Sequence, residues 1–68
     1  MNVKLKTKLL ELKRSQISVA HEIGISEPHF SKIVNNWIIP GDRLKEKIAN
    51  ALRCSIEEIF PKEEKNGA

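Results

Sequence analysis

The sequence predicts an all-α fold, a compact bundle of five short helices, on three observations. Its 68 residues are 40% hydrophobic and 31% charged with only three Gly and three Pro, too few turn formers for a many-stranded sandwich. Apolar residues recur at spacings of three and four, the helical period. Ser15, Ser26 and Ser55 each stand just ahead of such a series, where an N-cap belongs. A chain this short makes one domain, burying only ~60% of its unfolded surface. Its single cysteine, Cys54, leaves no intrachain disulfide to staple the fold, so stability has to come from helix packing or a partner.

Leu5, Leu9 and Leu12, with Leu10 beside them, predict a first amphipathic helix from about Val3 to Arg14, its other face rich in lysine. Ser15 caps a short second helix bearing Val19, Ala20 and Ile23, and Gly24 stops it in a left-handed conformation. Ser26 opens a third helix whose first turn tolerates Pro28, because no intrahelical N–H is needed there. Phe30, Ile33 and Val34 form its apolar stripe, and Asn35-Asn36 ends it. After the apolar connector Trp37-Ile38-Ile39, Pro40-Gly41 marks a loop. Asp42 is the expected cap of a fourth helix with Leu44, Ile48, Ala51 and Leu52 on one side. Ser55 and Glu58 make a capping-box pattern opening a short fifth helix with Ile56, Ile59 and Phe60, which Pro61 ends. The domain is therefore expected over residues 1–61, with 62–68 a charged, frayed tail.

The net charge of +3 is unevenly spread. Lys4, Lys6, Lys8, Lys13 and Arg14 face only Glu11 in the first segment, whereas Glu57, Glu58, Glu63 and Glu64 outnumber Lys62 and Lys65 after Cys54. Such polarity would orient the N-terminal side toward a polyanion. No run approaches the ~18 apolar residues of a membrane span, and Met1 to Leu12 alternates lysine with leucine where a signal peptide has an unbroken apolar core. A cytoplasmic protein without membrane contact is expected.

Two short helices joined by a glycine turn, the second with a polar face, suggest a helix-turn-helix. Ala20 is small where the two helices cross, Gly24 supplies the turn, and Ile25 plugs the corner. Ser15-Gln16-x-x-Val19-Ala20-x-x-x-Gly24-Ile25-Ser26 is followed by Ser31-Lys32-Ile33-x-Asn35, by Pro40, and by Ile48-Ala49-x-Ala51-Leu52-x-Cys54-Ser55-Ile56-x-Glu58-Ile59-Phe60. With these residues nearly the whole chain resembles the Cro/C1 repressor type of helix-turn-helix domain, the lambda repressor-like DNA-binding domain of phage repressors, Cro proteins and XRE-type bacterial regulators. The resemblance implies a lambda repressor-like bundle whose third helix enters the DNA major groove, commonly as a homodimer on a pseudo-palindromic operator. Carried over by position, it implies base contacts at Glu27, Pro28 and Lys32, with Ser26 and His29 as further candidates. It also implies a phosphate contact at Gln16.

The residue pattern agrees on the exposed face. At about 100° per residue from Glu27, Phe30, Ile33 and Val34 fall near 300°, 240° and 340°, so the outward direction lies near 113°. Pro28, Lys32 and Asn35 point there, with Ser31, Glu27 and His29 flanking. Lys32 could donate to guanine O6/N7 or to phosphate, Glu27 could accept from cytosine N4, and Pro28 offers apolar contact to a thymine methyl.

Three departures stand out. Lys13 and Arg14 replace the glycine and apolar residue usual before the Ser-Gln pair, with Ile17 a candidate to fill the gap; Asn36 replaces the usual glycine, though asparagine adopts a left-handed turn. Trp37-Ile38-Ile39 occupies a loop that in such domains is often basic and touches phosphate. Compensating phosphate contacts are expected from Lys4, Lys6, Lys8 and Arg43, alongside Asn35 and Asn36. Trp37 and its isoleucines either bury against helices three and four or form a dimer or partner surface together with Ile59 and Phe60.

Other classes find little support. There is no glycine-rich phosphate loop, nucleophile elbow or paired-carboxylate arrangement, so no enzyme activity, small-molecule substrate or cofactor is expected. His21, His29 and Cys54 include no close ligand pair, so no metal site is expected; Cys54 is expected to pack in the core. The expected function is a sequence-specific double-stranded DNA-binding transcriptional repressor of a phage or other mobile element. Two rivals share the fold: a protein-interaction module gripping an antirepressor or toxin partner, and an architectural or recombination accessory protein that bends DNA.

Overall fold

In the computed structural model, which describes residues 1–61, five α-helices follow in the order α1 (Val3–Glu11), α2 (Gln16–Ile23), α3 (Glu27–Val34), α4 (Asp42–Ala51) and α5 (Ile56–Ile59). The expected tail, 62–68, lies outside the described residues. Among the described residues there is no strand, and no helix is long and apolar enough to cross a membrane.

One core serves all five helices. Leu5 and Leu9 from α1, Val19 and Ala20 from α2, Phe30, Ile33 and Val34 from α3, Ile48 and Ala49 from α4, Leu52, and Ile59 from α5 are all buried. Helix α2 packs on α3 and α4, while α1 packs on α3 and α5. Ile25 and Cys54 are half-buried against this core. Among the described residues no polar or charged residue is buried, so the core itself is specified by the shape of its apolar side chains.

Local chemistry starts each helix. Ser15 Oγ accepts from Ser18 N–H at 3.1 Å and Ser26 Oγ from His29 N–H at 3.2 Å, each satisfying an N–H left free in a first turn. Gly41, not the expected Asp42, is the N-cap of α4 and makes no side-chain cap bond; Asp42 lies inside the first turn, where its charge opposes the helix dipole's positive end.

Four helices end in one backbone motif. An N–H two residues past the end of α2, and three past the ends of α1, α3 and α4, returns to a carbonyl five positions back: Arg14 to Leu9, Ile25 to Ala20, Trp37 to Lys32 and Cys54 to Ala49, at 2.8–3.0 Å. The residue between is left-handed each time, namely Lys13 (φ 54°), Gly24 (φ 83°), Asn36 (φ 62°) and Arg53 (φ 56°). This is the Schellman closure, usually made with glycine. It answers the first two departures, since Lys13 and Asn36 take the conformation that glycine would.

The structure corrects several expectations. Helix α1 ends at Glu11 rather than near Arg14, because the Schellman turn at Lys13 closes it and leaves Leu12 exposed beyond its end; Leu10, still within the helix, is exposed beside buried Leu9. Ile17 is exposed and fills no gap. Ile59, placed by the sequence on a partner surface, is 0% exposed: the docking of α5 against α1 turns it into the core. Trp37 and Ile39 are not buried against α3 and α4 but stand 77% and 83% exposed.

Candidate nucleic-acid interface

With Phe30, Ile33 and Val34 anchored in the core, the opposite side of α3 faces outward. Ser26, Pro28, His29, Lys32 and Asn35 are exposed on it, while Glu27 and Ser31 are half-buried. Neither Glu27 nor Lys32 takes part in an ion pair among the described residues, leaving an acceptor near the start of α3 and a cation in its last turn. Pro28 lies in the first turn and fixes its backbone.

The start of α2 is the better anion seat of the two. Ser18 N–H is taken by Ser15, but the N–H groups of Gln16 and Ile17 bond to nothing among the described residues, and their dipole favours negative charge. In α3, Pro28 has no N–H and His29 N–H is taken by Ser26, which leaves less to offer. Half-buried Gln16 thus opens a helix whose free donors suit phosphate.

The expected phosphate ligands separate into different situations. Lys4, Lys6 and Arg43 are exposed and unpaired among the described residues. Lys8 is not free: its ammonium lies 3.4 Å from Glu58 and 3.5 Å from Glu11, because α5 docks beside α1 and brings Glu58 across. The hydrogen bond to Glu58 leads in raising the Lys8 pKa above its ordinary value. Glu58 in turn is held below the usual carboxylate range, first by the Ser55 N–H donating to its Oε2 at 3.0 Å and then by Lys8. Lys4 shares this face of α1 with Lys8 and Glu11. Asn35 is turned back on its own helix, its Nδ2 donating to the Ser31 carbonyl at 2.9 Å, so its amide donor is not presented outward. Exposed Asn36 makes the left-handed turn.

Two groups that hold the interface in place were missed from sequence. Asn2 is a three-way clasp. Its Oδ1 caps α1 by accepting from Leu5 N–H (3.0 Å), its Nδ2 donates to the Ile59 carbonyl (2.7 Å), and its backbone N–H donates to the Val34 carbonyl at the end of α3 (2.7 Å). An asparagine directly before a helix is a cap signal that could have flagged the first of these. On α2, Arg14 donates to Ser18 Oγ (3.0 Å) and Glu22 Oε1 (2.7 Å), a brace whose spacing of four and eight residues was visible in the chain. Burial, then the Glu58 charge, raises the Cys54 thiol pKa above its ordinary value, the direction that disfavours the thiolate. No group of three or more His, Cys, Asp or Glu side chains suited to a metal occurs among the described residues.

A helix capped by Ser26, seated on its partner helix through Gly24 and Ala20, with an uncommitted polar face outward, defines a helix-turn-helix reading head. The pattern of the Cro/C1-type HTH DNA-binding domain matches residues 4–63, and the chain belongs to that family. It is thus a domain for sequence-specific DNA binding, in a family that is typically non-catalytic. No curated protein and no solved structure matches the chain.

Proposed function

We propose that this domain is a transcriptional repressor that inserts α3 into the major groove of an operator, as the paired regulators of phages and other mobile elements do. The observation that carries the reading is the free polar face of α3, with Lys32 and Glu27 unpaired and Pro28 and His29 exposed beside them. In this role Lys32 donates to guanine O6/N7, Glu27 accepts from cytosine N4, and Ser26 and His29 add polar contacts at the same end of the groove. Gln16 and the start of α2 hold a phosphate and set the register of α3, with Asn36, Arg43, Lys4 and Lys6 reaching further phosphates. Lys8 and Asn35 contribute least to binding, since their donors are engaged within the domain.

Selection from a random pool of double-stranded DNA, followed by titration at two salt concentrations, tests this. A near-palindromic site with half-sites about one helical turn apart, and affinity that falls steeply with salt, is the expected result. Failure to enrich any sequence would count against operator reading. A second reading, a protein-interaction module, is favoured by one observation: the exposure of Trp37 and Ile39. A partner bound at that loop in the absence of DNA, with no enriched site, is the outcome that would favour it.

A further inference from the structure

A helix leaves its last four carbonyls without partners inside the helix, and in α3 these belong to Ser31, Lys32, Ile33 and Val34. The chain that follows takes three of them: Asn35 N–H donates to Ser31 at 3.0 Å, Trp37 N–H to Lys32 at 2.8 Å and Asn36 N–H to Ile33 at 3.1 Å. Val34 is left, and its carbonyl accepts at 2.7 Å from the N–H of Asn2, which α1 and α2 separate from it in sequence. In α1, α2 and α4 the corresponding carbonyls, of Glu11, Ile23 and Ala51, accept no backbone hydrogen bond among the described residues. We propose that Asn2 is a positioning residue for DNA reading: its N–H fixes the end of α3 that carries Lys32, so that the tilt of this helix in the major groove is set from α1 and α5. The proposal deepens the operator reading and rests on it.

The side chain of Asn2 makes its N–H a fixed point. Oδ1 is tied to α1 through Leu5 N–H, and Nδ2 to the last carbonyl of α5 through Ile59, so three helix ends meet on one half-buried residue. Leu5, Val34 and Ile59 are themselves buried, and α1 packs on both α3 and α5. The other end of α3 is held differently, by the left-handed Gly24 turn and the Ser26 cap, within a few residues of Glu27 and Pro28. A helix of eight residues is about 12 Å long, and a tilt of about 5° about that turn would move its far end by about 1 Å. Hydrogen bonds to base edges do not survive such a shift, because their working distances span only ~0.5 Å. Release at Asn2 would therefore be felt at Lys32 and little at Glu27.

Two substitutions separate positioning from stabilisation. Asn2→Ala and Asn2→Pro both lose the side-chain bonds to Leu5 and Ile59, but only Asn2→Pro also lacks the N–H that reaches Val34. The Asn2 φ of −83° lies near the range of proline, so the ring demands little of the backbone there. Wild type and both variants are titrated, well below the lowest of their melting temperatures, with the selected half-site and each of its single-base changes. Lys32→Ala and Glu27→Ala mark which base pairs each end of α3 reads. Asn2→Ala should keep the wild-type pattern of base preference. Asn2→Pro should lose about fivefold or more of the preference at the base pairs assigned to Lys32, while keeping both the preference assigned to Glu27 and the dependence on salt. Equal loss on every sequence, which is all that a lower folded fraction can produce, overturns the proposal, as does an Asn2→Pro pattern matching that of Asn2→Ala. In the DNA-free wild type the Asn2 N–H should exchange slowly with solvent; exchange at the free-chain rate overturns the fastening, whether or not Asn2→Pro folds. If no sequence enriches, the operator reading falls and this role with it, whereas an operator read identically by all three proteins removes this role alone.

Discussion

Replacing Asn2 by alanine should be among the most damaging single changes outside the core. The substitution removes two bonds and leaves a third: Oδ1 no longer caps Leu5 N–H, and Nδ2 no longer reaches the Ile59 carbonyl, while the backbone bond to Val34 survives. Loss of a helix cap costs about 1 kcal/mol, and loss of a partly buried hydrogen bond costs about 1 kcal/mol more. A core of this size rarely supplies more than ~3–5 kcal/mol, so a total near 2 is a large share. At ~4–8 °C per kcal/mol for a domain of this length, the melting temperature should fall by roughly 8–16 °C, read from helical circular dichroism. Asn2→Asp separates the terms, since it retains an acceptor for Leu5 but sets a carboxylate oxygen against the Ile59 carbonyl. A drop of less than ~2 °C for Asn2→Ala would refute the clasp as a stabilising element, and an Asp variant as stable as wild type would remove the Ile59 contact from the account.

Three further outcomes are expected. Lys13→Gly and Arg53→Gly should each stabilise by about 0.5–1 kcal/mol in urea unfolding, because both sites hold a side chain in the left-handed region. Glu58 has a lowered folded pKa, so its contribution is present above its ordinary value of 4.5 and is lost as pH falls through the folded value. An acid titration followed by circular dichroism should show that loss, and Glu58→Gln should flatten it. Lys8, whose pKa is raised by the same contact, gives the opposite sign, its contribution vanishing only as pH rises beyond its ordinary value of 10.5. Lys32→Ala should weaken binding to the selected operator by roughly 1–3 kcal/mol while leaving the melting temperature unchanged, and equal loss on all sequences would reassign Lys32 to phosphate.

What could be read in advance divides along a physical line. Ser15, Ser26, Pro28 and Gly24 act on the backbone within a few residues of themselves, so their roles are legible in one stretch of chain. Phe30, Ile33 and Val34 are read by period alone. Ile59 could not be, since four residues of α5 define no face until α1 packs on them. The same docking hides the fate of Lys8, whose partner Glu58 lies fifty positions away in sequence. Leu12 obeys the apolar spacing yet falls where the helix has already ended. On the interface, periodicity marks which side of α3 is free, but it does not show that the Asn35 amide folds back on Ser31. Nor does an apolar triplet such as Trp37-Ile38-Ile39 disclose whether it is buried, because that depends on whether a neighbour exists to cover it.

The closure of α3 has a mechanical consequence. Trp37 N–H donates at 2.8 Å to the carbonyl of Lys32, so the loop is fastened to the last turn of the helix that bears the reading side chain. No slack chain separates them. A push or pull on the exposed Trp37 loop is therefore delivered straight to the last turn of α3, so whatever touches that loop also acts on the placement of Lys32.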